Sequence, residues 1–278
     1  MHTEEERDNS YIRIRIILLG EQLSHMRVDI SPFHDVDTFR SSEYTTLHQA
    51  ILEHFVQDAD IILVAVKSDM NLLKDVIYVL QQKEKLFVVI TEKILDIAMD
   101  YNQLILEKQD DMLFSASASL SEKFKTTLHT LCNLMDNQIQ TIRAHEYDFS
   151  SLVNLHSFFT TKGEVYLYPN LTQETIEAKL QTDTRFQLWL RSASEIWIKF
   201  FHSSSSGSDS EKCMELIENH MDEDANFLIE RDGIYDQGLK YIVFDVVLKR
   251  KCSVSCLFYS KNTLNGNINH KLEGEKNE

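Results

Sequence analysis

Three continuous apolar runs punctuate the first third of the chain and dictate its fold class. Residues 11–19, YIRIRIILL, alternate at first, with Ile12, Ile14 and Ile16 against Arg13 and Arg15, and then become wholly apolar, as a strand entering a core does. Asp60–Val66 (DIILVAV) and Leu86–Thr91 (LFVVIT) are continuous runs rich in β-branched residues, the composition of parallel strands buried on both faces. Between the runs the apolar spacing is helical: Leu47, Ile51, Leu52 and Phe55 share one face over 43–57, and residues 70–82 read as a second helix. Strands alternating with helices over this length imply a parallel sheet covered on both sides. A helix over 93–107 and a short strand around Met112–Phe114 complete the expected set.

Ser119 and Glu122 form an S-x-x-E capping signature, and Phe124, Leu128, Leu131, Met135, Ile139 and Ile142 continue a helical stripe behind it. The spacing predicts a helix over 119–143, long enough at roughly 1.5 Å per residue to join two subdomains. Beyond it come a short strand at Val165–Tyr168, a helix over 172–190 and an alternating strand at Ser194–Phe201. A flexible serine stretch at 203–208 leads to a second capping box, Ser208 and Glu211, and a helix to about Met221. Strands at Asn226–Ile229 and Tyr241–Leu248 close an α+β unit. The organisation expected is an acidic arm at 1–10, an α/β subdomain at 11–118, the connecting helix at 119–143, an α+β subdomain at 144–250 and a polar tail at 251–278.

Composition narrows the chemistry. Glycines number seven in 278 residues, where about twenty would match the usual rate of roughly 7%, and only Gly20 lies before residue 163. A phosphate cradle turns successive backbone N–H groups inward at conformations costing a non-glycine residue about 1–2 kcal/mol each. The N-terminal half therefore lacks a glycine-rich nucleotide loop of the common kinds. A formal charge of −16 repels phosphate backbones and anionic membrane surfaces, so nucleic acid is not an expected partner. No apolar run reaches the length of a spanning helix and Met1–Ser10 is acidic, so a soluble, cytoplasmic protein without direct membrane insertion is expected.

Other constellations favour plain structural readings. Cys252 and Cys256 with His270 are a weak metal signature, and Cys132 and Cys213 stand apart, so all four read as reduced thiols. His48 and His54 do not share a helical face, His145, Glu146 and Asp148 lack a nucleophile, and the serines at 203–206 lack a G-x-S-x-G elbow. Trp189, Trp197, Phe200 and Phe201 read as core, since no basic groove accompanies them. No metal, cofactor or catalytic residue is expected.

The element order resembles the tubulin and FtsZ superfamily from about residue 11 to 250. Asp60–Val66 with the following helix and LFVVIT is similar to the FtsZ strand, loop, helix and strand. HEYDFSSL, His145–Leu152, is similar to the NxDFxDv loop after the central helix, with Asp148 and Phe149 on its first Asp and Phe. DEDANFLIERDGIYDQGLKYIVFDVVL, Asp222–Leu248, is similar to the segment in which an Ala-Asn pair opens a strand and a final strand closes the sheet. The resemblance implies a parallel Rossmann-type sheet joined by a long central helix to a smaller α+β subdomain.

It also implies a list of losses. Where FtsZ carries a GGGTGTG phosphate loop, this chain has Lys67, Ser68, Asp69, Met70, Asn71 and Leu72, and the first glycine loop is reduced to Gly20 before Glu21. Residues 115–128 hold neither Asp nor Asn for guanine, and Ser151 replaces the second acid of the catalytic loop. The expectation is a cytoskeletal or cell-division-associated relative without GTP binding or hydrolysis, acting through protein contacts with an active FtsZ/tubulin-like protein or with itself. Its interaction surfaces would be Lys67, Ser68, Asp69, Met70 and Asn71 on one side and His145, Glu146, Asp148 and Ser151 on the other. Two alternatives stand beside it: a small-molecule enzyme or sensor using the strand ends at Gly20–Gln22, Lys67–Asn71 and Thr91–Lys93, and a GTPase still active through atypical loops.

Overall fold

The computed structural model describes residues 13–28, 35–40, 49–67, 70–94, 101–109, 113–144, 159, 162–201, 207–232 and 243–251. Its first half builds β1 (Arg13–Leu19), α1 (Glu21–Ser24), β2 (Asp35–Arg40), α2 (Gln49–Val56), β3 (Ile61–Val66), α3 (Met70–Gln82), β4 (Leu86–Thr91) and β5 (Asn102–Ile105). These five strands are parallel neighbours in the order β2-β1-β3-β4-β5. Every residue of β3 is buried, which explains its unbroken apolar run: helices cover both faces and neither can be polar. Asp60 sets the start of β3 against β1. Its carboxylate accepts from Arg13 N at 2.7 Å, and its own N–H donates to Arg13 O at 2.9 Å.

Two elements differ from expectation. In place of a helix over the whole of 93–107, residues 102–105 form β5, followed by a 3₁₀ turn at Leu106–Lys108. Asn102 and Gln103 obscured the strand, yet both are buried with side-chain partners: Asn102 Nδ2 donates to Phe159 O at 2.8 Å and Gln103 Nε2 to Thr91 Oγ1 at 3.0 Å. The strand expected near 112–114 does not form at Leu113 and Phe114, which belong to the turn before the long helix. Strand β2, DVDTFR, was not anticipated, because at this sheet edge only Phe39 is buried and neither alternating set of residues is apolar throughout.

The long helix α4 spans Leu120–Ala144. Its capping box is formed, with Ser119 N donating to Glu122 Oε2 at 2.6 Å and Glu122 N to Ser119 Oγ at 3.3 Å. Phe124, Leu128, Leu131 and Met135 bury the predicted stripe, while the side chains of Ile139 and Ile142 lie outside the described residues.

The second half adds β6 (Gly163–Leu171), α5 (Gln173–Thr182), α6 (Thr184–Ser192), β7 (Glu195–Phe201), α7 (Gly207–Glu218), β8 (Asn226–Asp232) and β9 (Val243–Lys251). The helix expected over 172–190 is two helices broken at Asp183, whose carboxylate caps α6 by accepting from Arg185 N and Phe186 N, both at 3.0 Å. Helix α7 starts at Gly207, which puts Ser208 inside the first turn rather than at the cap. Order β6-β9-β7-β8 continues the first half into one nine-stranded sheet. Gly163 is required there, since a Cβ would lie 2.3 Å from Arg250 O on β9.

One core cluster lies between α4 and the sheet and runs through both halves, from Ile14, Leu63 and Ile90 to Val165, Trp197 and Val247. On the opposite face the core is split. Ile17, Val64, Val89 and Leu73 form one cluster with α2 and α3, and Tyr166, Ile198, Trp189 and Ile217 form another with α5, α6 and α7.

Candidate functional site

In an open parallel sheet, ligands and partners meet the carboxyl ends of the strands where the chain reverses its direction of winding. Here that point lies between β1 and β3, because the chain steps from β1 to β2 on one side and then to β3 on the other. Leu19 pairs with Val66, so Gly20 and Lys67 leave the sheet side by side. Gly20 has φ 102°, a left-handed conformation open to glycine, and turns the chain directly into α1.

Lys67 spans the gap. Its Nζ donates to Gln22 Oε1, tying the end of β3 to the first turn of α1. Gln22 and Glu21 are exposed and Lys67 is half-buried. Only residues 67–69 separate β3 from α3, and none of them is glycine. Asn71 is exposed in the first turn of α3.

The next strand end is held from below. Thr91 Oγ1 donates to Lys93 O at 2.8 Å while accepting from Gln103, which closes the turn after β4. Lys93 Nζ lies 3.5 Å from Glu107 Oε1, and Glu107 N donates to Glu92 O at 3.1 Å. Gly20–Gln22, Lys67 and Thr91–Lys93 thus fall on one edge, as their strand positions predicted. The Thr91–Gln103 bond and the Lys93–Glu107 pair were not foreseen. The only signal was a lone threonine ending an apolar run and two amides beginning a short one.

Of the remaining predicted residues, Ser68, Asp69, His145, Glu146, Asp148 and Ser151 lie outside the described residues, as does the side chain of Met70. The acidic arm at 1–10 and the tail from residue 252 lie outside them too. Among the described residues no group of three or more His, Cys, Asp or Glu converges on a point that would hold a metal ion. No described helix is long and apolar enough to cross a membrane.

No protein-family profile and no curated protein matches the sequence. Solved structures do match. A type III plasmid segregation TubZ superposes over 92% of this chain and 93% of its own, with a TM-score of 0.51 at 11% identity. The chain has the FtsZ/tubulin fold. Weaker similarity extends to CetZ from Methanosaeta thermophila strain DSM 6194 (TM-score 0.48, 11% identity, 91% of each chain). It extends also to TubZ of Bacillus thuringiensis serovar israelensis in GDP-form protofilaments (TM-score 0.47, 11% identity, 92% of each chain). With the FtsZ/tubulin fold in place, the switch point between β1 and β3 is the edge at which the sequence resemblance put the reduced glycine loops.

Proposed function

We propose that this chain is a cytoskeletal protein of the FtsZ/tubulin fold that works through protein contact and neither binds nor hydrolyses GTP. The observation that carries the reading is the connection from β3 to α3. It is three residues long, contains no glycine, and begins with a lysine already bonded across the switch point to Gln22. A loop that wraps a triphosphate needs a run of inward N–H groups at conformations that favour glycine. The link of Lys67, Ser68 and Asp69 has no glycine for such conformations, and its composition adds an anionic residue to a segment that would have to approach phosphate.

The surface proposed to remain is built on Gly20 to Gln22, Lys67 and Asn71 at the strand ends, with Ser68, Asp69 and Met70 included by their place in the sequence. In the proposed contact it meets the His145, Glu146, Asp148 and Ser151 loop of a second molecule, either another copy or an active FtsZ/tubulin-like protein. Within that contact Lys67 is the cation available to Glu146 and Asp148, set against the like charge of Glu21 and Asp69.

Equilibrium titration with GTP is expected to give no binding at micromolar ligand. Micromolar affinity overturns the reading. In sedimentation with and without an active FtsZ, this chain is expected to pellet independently of nucleotide added to it alone, and Lys67→Glu to reduce the pelleted fraction severalfold. Pelleting unchanged by Lys67→Glu removes this surface from the contact.

A further inference from the structure

The nine strands form one sheet, but its two halves meet at an unusual seam. Among the described residues, β5 and β6 are in register only at Gln103 beside Glu164, whereas β1 and β3 pair from Ile14 to Leu19 and β6 and β9 from Gly163 to Tyr168. Side chains replace the missing ladder. Gln109 Nε2 donates to Val165 O at 3.1 Å, and its Oε1 accepts from Leu167 N at 2.9 Å, so one amide side chain stands in for a strand.

Glu164 is the hub. Its Oε1 accepts from Lys108 Nζ of the first half at 2.8 Å, and its Oε2 from Arg250 Nη2 of the second half at 2.6 Å and from Tyr166 OH. Tyr166 stacks on Trp189 with ring centroids 3.9 Å apart, and Arg250 and Arg185 lie over the outer faces of that pair at 6.0 and 4.3 Å. Arg185 Nη2 in turn donates to Lys108 O.

The two faces of the seam are chemically opposite. On the α4 face, Val165 and Leu167 join Leu104 and Ile90 in one apolar core that crosses from half to half. On the other face the row Gln103, Glu164, Arg250 separates two apolar clusters, and the buried Gln103 Oε1 has no hydrogen-bond partner among the described residues. An apolar contact tolerates small sliding because it is not directional, while a charge-assisted network is either made or hydrated.

We propose that this seam is a clasp: the α4 face acts as a hinge, and the Glu164 network on the opposite face opens as a unit while the sheets on either side stay folded. Release hydrates the buried Glu164 and the Gln103 carbonyl beside it and frees Lys108, Arg185 and Arg250 together, because Glu164 bonds Lys108 and Arg250 and Lys108 O accepts from Arg185. The clasp is independent of whether the chain binds nucleotide or partner.

Native-state hydrogen exchange of the full chain tests it. In the unaltered protein, the seam-facing amides, above all Leu167 whose N–H donates to Gln109 Oε1, are expected to exchange through a partial opening, at least about tenfold faster than those of β3, β4, β7 and β9. Glu164→Gln keeps the shape and removes the charge. It is expected to widen that gap by a further tenfold or so while leaving the flanking strands unchanged, and Lys108→Met is expected to act in the same direction. Seam amides that exchange only with global unfolding, or a Glu164→Gln effect spread evenly over the sheet, overturn the proposal. Should Glu164→Gln not fold, the unaltered chain and Lys108→Met decide the matter by the same readout.

Discussion

A single carboxylate illustrates how burial and charge compete in this molecule. Burial pushes the Glu164 carboxyl up, but Lys108, Tyr166 and Arg250 together outweigh it and hold it below the ordinary carboxylate range. A depressed carboxylate stabilises the fold fully above its unfolded value, about 4.3 for glutamate, and that contribution is lost as pH falls through the folded value. Denaturant midpoints measured from about pH 6 to about pH 3 should therefore fall more steeply for the unaltered chain than for Glu164→Gln at the acid end. Equal slopes would mean that Glu164 does not carry that linkage. The sequence marks Glu164 only as an acid two residues from Tyr166, since its charged partners come from positions 108 and 250 and share no spacing with it. Gly163 is as silent: the need for glycine arises from Arg250 O on another strand.

Whole elements were legible where burial is one-sided or complete. Strands β3 and β4 and helix α3 stand at the predicted residues, to within one position, because an unbroken apolar run or a helical stripe reports its surroundings directly. Strand β5 was not legible, because its first two residues are amides whose burial is made tolerable by Phe159 and Thr91. Helices α5 and α6 were read as one since Thr182, Asp183 and Thr184 do not interrupt the apolar stripe from Ile176 to Leu190. Asp183 breaks it by capping α6, and Asp183→Ala is expected to cost about 1 kcal/mol of stability, as loss of an N-cap does. Chemical denaturation checks this, and a change near zero would mean that the two helices need no cap between them.

At the scale of the molecule, α4 and its core make the halves one body on one face of the sheet. Leu131, buried in the cluster that includes both Ile90 and Val247, tests that union. Leu131→Ala is expected to destabilise by about 2–5 kcal/mol, with probes in the two halves unfolding at one shared midpoint. Separate midpoints would show that the α4 core does not couple them. The FtsZ/tubulin fold was reachable from element order, because a βα alternation, a long capped helix and a strand-rich end admit few arrangements. The strand-end edge was legible only in part: Gly20 and Lys67 follow from strand ends, but the Lys67–Gln22 bond follows from β1 and β3 being neighbours.

By itself the sequence determined the buried parallel strands, the capped central helix and the scarcity of glycine in the first half. These are local properties, set by side-chain periodicity and backbone conformational cost. The tertiary structure alone decided the continuous nine-stranded sheet, the glycine at 163 and the clasp at Glu164. Each depends on groups brought together from distant positions, and no pattern along the chain records which distant groups will meet.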